Sequence, residues 1–212
     1  GPGDAVFTTP FTYVATAEVI ALLGATPVFV DVYDSTFNID CEKLEIAIQD
    51  TIKNGELTPK AIIPVDLFGV PARYRLIDSI AKKYNLKVIE DGAQSFGASI
   101  GEKKVGTFGD VAATSFYPAK PLGCYGDGGA IFTNNDSLAD KCKAIRVHGT
   151  SSDKYNSEVI GLNGRLDSMQ AAVLLEKMTI FDEELEMRNK VNDYYRKFLN
   201  NAQYIPENYH SA

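Results

Sequence analysis

Short apolar runs alternate with amphipathic segments through the first two thirds of the chain. Four apolar runs rich in β-branched residues predict buried strands, at residues 27–32, 60–67, 87–91 and 111–116. Helical periodicity predicts three helices beside them, at residues 15–23, 41–51 and 74–84, the first ended by Gly24. Buried strands that alternate with helices are typical of a mostly parallel sheet covered on both faces. The pattern therefore predicts an α/β fold.

The remaining third of the chain has a different pattern. Residues 129–133 predict a strand that pairs back on the preceding one, and Ser137–Val147 predicts a helix with Ser137 as its N-cap. Two apolar stripes separated by charged residues then predict one long helix from Asp167 to Asn200.

Composition narrows the class of protein. The chain has 212 residues, 45% of them hydrophobic, and contains neither a membrane-length apolar run nor a visible export signal. A net charge of −7 argues against nucleic-acid binding, because no basic stripe is present to neutralise a phosphate backbone. Three unpatterned cysteines indicate neither a disulfide framework nor a zinc site. We therefore expect a cytoplasmic globular protein without a metal.

Lys120 lies in an unusual sequence context. Pro118 and Pro121 flank it and glycines follow from Gly123 onward, so the lysine is displayed from a stiff, non-helical turn. A lysine held in this way is a candidate Schiff-base nucleophile where its surroundings lower its pKa. The alternative is an ordinary surface lysine in a turn. Nearby Cys124 is either reactive or, as we favour, a small packed residue.

Two aspartates end predicted strands. Asp91 ends the strand at 87–91, and ligands of parallel sheets gather at the carboxyl ends of the strands. The alternative role for Asp91 is a helix N-cap. Asp66 ends the preceding strand and either faces the same pocket or serves a turn. His148 follows a predicted helix, where a favourable interaction with the helix dipole is preferred over a proton-carrying role.

The segments Asp91-Gly-Ala-Gln94-Ser and Ser115-Phe-Tyr-Pro-Ala-Lys120 resemble the pyridoxal-phosphate (PLP) segments of DegT/StrS-type sugar aminotransferases of fold type I. The resemblance extends over nearly the whole chain. From Lys120 to Asn134 it is closest to bacterial enzymes that aminate the 3-keto group of a UDP-2-acetamido-3-oxo-glucuronate. It implies a PLP-binding large domain with a mostly parallel, seven-stranded-type sheet flanked by helices.

The resemblance also implies roles for five residues around the cofactor. Lys120 would form the Schiff base with PLP and carry the proton during transamination, and Asp91 would keep the pyridine nitrogen protonated. Gln94 would face the 3-hydroxyl side of PLP, Ser115 would bind its phosphate, and Tyr13 would stack on the face of its ring. A loop glutamine and an aromatic packed at a helix start are the alternative readings of Gln94 and Tyr13.

Two further residues are expected to act across a homodimer interface with shared active sites. The resemblance implies that Asn163 contacts the partner subunit's cofactor phosphate and that Arg165 lies near the partner subunit's substrate. A guanidinium fork suits a carboxylate or a diphosphate. The alternative for Arg165 is a structural ion pair with Asp167 or Glu176.

The implied reaction moves an amino group from an amino acid, glutamate, to a keto group of a nucleotide-linked sugar for lipopolysaccharide O-antigen or a related surface glycan. Relatives with histidine in place of Lys120 act as dehydratases, so the lysine favours transamination. The alternative is a catalytically silent fold type I module that dimerises or binds a sugar nucleotide. An NAD-dependent oxidoreductase would need a glycine-rich dinucleotide turn that the sequence lacks.

We expect the chain to be the central part of a longer enzyme, because the resemblance begins after the family's upstream phosphate-binding segment. Its expected divisions are a PLP-binding large domain over 1–165, a linking long helix over 166–201, and the start of a truncated C-terminal domain over 202–212.

Overall fold

A six-stranded sheet forms the centre of the protein in the computed structural model, which describes residues 1–150 and 156–199. The strands of the chain are β1 (Asp4–Thr8), β2 (Thr26–Phe29), β3 (Thr58–Ile62), β4 (Lys87–Asp91), β5 (Ser99–Ile100), β6 (Lys103–Lys104), β7 (Val111–Ser115) and β8 (Gly129–Phe132). In the main sheet their order is β2-β1-β3-β4-β7-β8, whereas β5 and β6 form a separate hairpin. Neighbouring strands are parallel except for β7 and β8. The predicted mostly parallel sheet is confirmed, and within the described residues it has six strands where the seven-stranded type is expected.

Six α-helices accompany the sheet in the described residues: α1 (Ala15–Leu22), α2 (Cys41–Asn54), α3 (Tyr74–Tyr84), α4 (Asp136–Arg146), α5 (Ser168–Met178) and α6 (Phe181–Phe198). The bounds of α2 follow from its caps. The Asp40 carboxylate accepts hydrogen bonds from the backbone N–H groups of Glu42 and Lys43, and Gly55 ends the helix in the left-handed conformation.

Two apolar clusters hold the fold together. The larger joins α2 and α3 to β1, β3 and β4, with Phe7, Leu44, Ile62 and Ile77 fully buried. The smaller joins α5 and α6 to the chain after β7; its buried members are Phe116, Leu122, Cys124, Leu174 and Phe181. The second cluster therefore packs the helices directly against the segment that contains Lys120.

The prediction of one long helix from Asp167 to Asn200 is wrong, because α5 ends at Met178 and α6 begins at Phe181. The Thr179 hydroxyl donates to the Glu176 carbonyl at 2.7 Å, and Ile180 has a non-helical ψ of 4°. The break turns Phe181 into the smaller apolar cluster, where it is 7% exposed. Burial of this ring therefore accompanies the interruption of the helix.

Smaller corrections concern element ends. Asn135, and not Ser137, caps α4, since its side chain accepts a hydrogen bond from the backbone N–H of Leu138. The strands predicted at 27–32 and 60–67 end earlier, at Phe29 and Ile62. The predicted C-terminal segment 202–212 lies outside the described residues.

Candidate active site

The carboxyl ends of β4 and β7 bring the main candidate residues to one edge of the sheet. Asp91 is the last residue of β4 and Ser115 the last of β7, and these neighbouring strands are parallel with Asp91 opposite Ala113. Directly beyond β4, the backbone N–H of Gly92 donates to the Ala113 carbonyl at 2.8 Å. The two strand ends are thus fixed together, as expected for a ligand site in a parallel sheet.

The Asp91 carboxylate is oriented by two donors. The Thr16 hydroxyl donates to its Oδ2 at 2.8 Å, and the backbone N–H of Ala93 donates to its Oδ1 at 3.2 Å. A turn, not a helix, follows β4, so Asp91 is not a helix N-cap. Sequence reasoning missed Thr16, because nothing local in the sequence connects α1 with the end of β4.

Tyr13 lies immediately before α1, three residues from Thr16. Its backbone carbonyl accepts a hydrogen bond from the Thr16 N–H, while its ring is 71% exposed. The ring is therefore not packed at the start of the helix. Tyr13 thus lies three residues before the threonine whose hydroxyl contacts the Asp91 carboxylate.

Lys120 closes a tight turn. Its backbone N–H donates to the Tyr117 carbonyl at 2.8 Å, with Pro118 in the position of the turn that its fixed φ suits. Gly123 folds back on this turn, since a Cβ there would lie 2.6 Å from the Pro118 carbonyl oxygen. The amine of Lys120 makes no hydrogen bond or ion pair with residues 1–150 or 156–199. The turn thus fixes the backbone and leaves the amine available.

The lysine turn is also tied to α5 and to a buried thiol. Lys177 Nζ donates to the Gly123 carbonyl at 2.7 Å, and the Tyr125 backbone N–H donates to Gln170 Oε1 at 2.7 Å. Cys124 is fully buried, and its Sγ lies 3.0 Å from the Phe116 carbonyl. Cys124 is therefore a small packed residue, as expected. The hydrogen bonds of Lys177 and Gln170 fix the lysine turn to α5.

Ser115 and Gln94 are each fixed by one backbone group. The Tyr117 N–H donates to Ser115 Oγ at 3.2 Å, so the hydroxyl proton stays able to donate to a ligand. The Phe68 N–H donates to Gln94 Oε1 at 2.8 Å, which turns the NH2 group of the amide away from that backbone. Both side chains keep a donor for the site.

Two buried carboxyl groups lie beneath this edge. Asp66 is fully buried and accepts hydrogen bonds from Tyr74 Oη at 2.7 Å and Ser95 Oγ at 2.8 Å. Burial raises the pKa of Asp66 to about 7, with the donors opposing the rise. Burial also raises the pKa of Glu90, whose carboxylate accepts from the backbone of Gly106 and Phe108. Asp66 thus serves the turns below the site rather than facing it.

Asn163 and Arg165 form a pair of their own. Arg165 Nε donates to Asn163 Oδ1 at 3.0 Å, and both side chains are exposed. Among the described residues, Arg165 makes no ion pair with Asp167 or Glu176, and neither member of the pair touches Asp91 or Lys120. His148, two residues after the end of α4, has a φ of 55° and is exposed as well. Five of the seven predicted site residues thus lie at or after the carboxyl ends of β1, β4 and β7, whereas Asn163 and Arg165 lie between α4 and α5.

Residues 1–150 and 156–199 contain neither a metal-binding cluster nor a helix that could span a membrane. No grouping of three or more histidine, cysteine or acidic side chains suited to a metal occurs there. No helix in those ranges combines the length and apolar composition of a membrane span.

Comparison with known proteins identifies close relatives. The chain is 53% identical over 197 residues to the UDP-2-acetamido-2-deoxy-3-oxo-D-glucuronate aminotransferase of Pseudomonas aeruginosa, covering 92% of this chain and 52% of the relative. It is 50% identical over 202 residues to a pleiotropic regulatory protein of Geobacillus stearothermophilus, covering 95% of this chain and 52% of the relative. The chain thus spans about half the length of the curated relatives it matches.

Solved structures agree with these relatives. A DegT/DnrJ/EryC1/StrS aminotransferase from Brucella abortus superposes with a TM-score of 0.95 at 54% identity, covering 98% of this chain and 56% of that one. NtdA from Bacillus subtilis, solved with bound cofactor PMP, superposes with a TM-score of 0.83 at 34% identity, covering 98% of this chain and 47% of that one.

The residues at the sheet edge fit a PLP cofactor chemically. The Lys120 amine, which has no described partner, suits the aldehyde of PLP. The Asp91 carboxylate suits the pyridine nitrogen, and the Ser115 hydroxyl, which keeps its proton, suits the phosphate. The exposed Tyr13 ring offers a flat surface for the cofactor ring.

A family model covers almost the entire chain. The DegT/DnrJ/EryC1/StrS aminotransferase family, whose members depend on PLP, matches residues 1–211. The fold agrees, because the mostly parallel sheet flanked by helices is that of the fold type I aminotransferases. The chain belongs to the DegT/DnrJ/EryC1/StrS aminotransferase family.

Proposed function

We propose that the chain provides the cofactor-binding domain of a PLP-dependent aminotransferase that transfers an amino group from an amino acid, glutamate, to a keto group of a nucleotide-linked sugar. The observation that supports this most directly is the arrangement of Asp91 and Lys120. The carboxylate ends β4 and the lysine turn follows the adjacent parallel strand β7. An acidic group and an amine fixed at one sheet edge are what this chemistry requires.

PLP supplies an aldehyde that condenses with amines and a ring that accepts electrons from the carbon beside the nitrogen. Within the chain, Asp91 would keep the ring nitrogen protonated, and the Thr16 and Ala93 donors hold that carboxylate in place. Lys120 would hold the cofactor through its amine and, once free, would carry a proton between two carbons. Ser115 would donate a hydrogen bond to the phosphate.

The sugar is proposed from the relatives. The P. aeruginosa relative is named for a UDP-linked 3-oxo-glucuronate, so a 3-keto uronate is the first candidate, followed by keto 6-deoxyhexoses. The product would then serve O-antigen or a related surface glycan. Free cysteines at positions 41, 124 and 142 suit a reducing compartment, and we assign the protein to the cytoplasm.

A homodimer with shared active sites is part of this proposal. Asn163 and Arg165 are exposed, and neither contacts the chain's own Lys120, so they are available to a partner subunit. Exposed apolar side chains at the end of α1 also support a subunit interface, since Leu22 is 82% exposed and Leu23 beside it is 72% exposed. The proposed domain division, with the cofactor domain over 1–165, is compatible with this arrangement.

The test is the visible absorption spectrum of the protein with PLP, before and after borohydride, beside Lys120→Ala. We expect a visible band that borohydride removes, with the reduced cofactor attached at Lys120 by peptide mass mapping. Lys104→Ala is the matched control, because this lysine is exposed on the β5–β6 hairpin. A colourless protein would instead favour the silent dimerising or sugar-nucleotide-binding module, for which the regulatory name of the G. stearothermophilus relative is the supporting observation.

A further inference from the structure

Three phenylalanines form a compact cluster at the same sheet edge as Asp91. Phe11 follows β1, Phe37 follows β2 and Phe68 follows β3, so the rings come from loops at the carboxyl ends of three neighbouring parallel strands. Their centroids are 5.4, 6.2 and 6.0 Å apart, and every pair is edge-to-face. Phe11 is 48% and Phe68 58% exposed. We call these residues the phenylalanine cluster.

Two members of the cluster have strained backbones. Phe37 has a φ of 60° and Phe68 a φ of 56°, in the left-handed region. The other non-glycine residues with positive φ in the described chain are Asn85 and His148, which are types that tolerate this conformation better. A bulky aromatic residue is a genuine outlier there, and such strain concentrates at functional sites.

Buried polar groups hold this strained geometry. Asn38, next to Phe37, is 2% exposed; its Nδ2 donates to the Val70 carbonyl at 2.9 Å and its Oδ1 accepts from the Leu67 N–H at 3.2 Å. This side chain therefore ties the loop after β2 to the loop that presents Phe68. The amide of Gln94 holds Phe68 from the other side.

The cluster adjoins the proposed cofactor residues through two connections. Gln94, three residues after Asp91, accepts from the Phe68 backbone at 2.8 Å. Phe11 lies two residues before Tyr13. The cluster is therefore connected to the residues proposed to bind the cofactor by one hydrogen bond and by a short stretch of chain.

We propose that the phenylalanine cluster is a subsite for the planar nucleobase of the sugar nucleotide. This deepens the proposed function and rests on it, since that function supplies a nucleotide-linked substrate. The exposed ring faces offer stacking to a flat base, which is favourable without base-specific hydrogen bonds. The acidic chain, with a net charge of −7, gives little general attraction for phosphate, so base stacking contributes the needed affinity.

The test is calorimetric titration of the protein with UDP and with inorganic pyrophosphate, which lacks the base. Phe68→Asn removes the ring but suits a φ of 56°, so we expect an unchanged or higher melting temperature. UDP affinity should fall about tenfold, as typical for loss of one stacked aromatic, while pyrophosphate affinity stays the same. Phe11→Ala, at an unstrained position, should weaken UDP binding likewise.

Phe198→Ala is the matched control, because this phenylalanine is 56% exposed on α6 and should leave UDP affinity unchanged. Wild-type protein that binds no UDP, or equal UDP affinity in Phe68→Asn, would overturn the subsite. A Phe68→Asn variant that loses dimerisation but not UDP affinity would assign the cluster to a subunit contact instead. Capture of PLP by Lys120 on the same samples tests the proposed function separately.

Discussion

The Thr16 hydroxyl donates a 2.8 Å hydrogen bond to Oδ2 of Asp91, although 75 residues separate them in the sequence. This contact joins the first turn of α1 to the end of β4. Since Tyr13 lies just before the same helix, this hydrogen bond connects the segment that contains Tyr13 to the carboxylate. The arrangement of the site therefore depends on Thr16, to which no role in the reaction itself is assigned.

Thr16→Val tests this dependence. The variant keeps the shape of the side chain but removes the donor, so the carboxylate is held less firmly and PLP should bind about fivefold more weakly, for a net hydrogen-bond value of about 1 kcal/mol. Absorbance titration with PLP measures the change. Thr51→Val is the control, because that hydroxyl bonds only to the Ala47 carbonyl within α2. Equal PLP affinity in Thr16→Val and wild type would contradict the idea.

Asp91→Asn separates cofactor binding from turnover. The amide still fits the site, so borohydride should still attach PLP to Lys120. The protonated ring nitrogen loses its ionic partner, and we expect the rate at which glutamate bleaches the visible band to fall about 100-fold or more. Stopped-flow absorbance measures this rate. An unchanged rate would remove Asp91 from its proposed position at the ring nitrogen.

Gly123→Ala should disrupt the lysine turn. A Cβ at this position would lie 2.6 Å from the Pro118 carbonyl oxygen and 2.7 Å from that of Tyr117, so the backbone must shift at a cost of about 1–3 kcal/mol. Urea unfolding and PLP capture should both show the defect. In Gly126→Ala, on the same loop, the added methyl meets only the flexible end of Gln170, which makes it the matched control. Similar effects of both substitutions would argue against a specific role of Gly123.

The buried carboxyl of Asp66 should make stability depend on pH. Its pKa rises from 3.8 to about 7 on folding, so between these values the folded state holds a proton that the unfolded state lacks. The free energy of unfolding should therefore fall as the pH rises from about 4 to about 7. The raised pKa of Glu90 acts in the same direction.

Asp66→Asn carries no titratable carboxyl at this position and should reduce this slope, so the stability difference from wild type should change between pH 4 and pH 7. Urea unfolding across this pH range is the measurement. Asp78→Asn is the control, since Asp78 pairs with Lys82 on the surface, where ion pairs contribute little, and should keep the wild-type slope. A slope retained in Asp66→Asn would show that other groups cause it.

Much of the fold is predictable from local sequence. The helix Tyr74–Tyr84 was predicted with both ends correct, because apolar spacing and a chain reversal at Asn85 act within a few residues. The lysine turn is also predictable from local sequence, since Pro118 and the glycines after Lys120 determine the backbone conformation locally.

What the sequence did not reveal depends on distant partners. The segment around Thr179 and Ile180 lies between good helix-forming stretches, and the break coincides with the packing of Phe181 against Phe96 at 5.5 Å. Asn38 likewise looks like an ordinary loop residue, yet it is buried and bonds to a loop about 30 residues away. Long-range packing decides such positions, and local propensity does not encode it.

The antiparallel pairing of β7 with β8 also bears on the order in which the protein folds. These strands enclose the lysine turn, so its contacts close over a short stretch of chain, whereas the bond between Thr16 and Asp91 must close a loop of 75 residues. Short loops lose less entropy on closing and form sooner. The amine-bearing half of the site is therefore expected to reach its native shape early in refolding, and the acid-bearing half only when the central strands assemble.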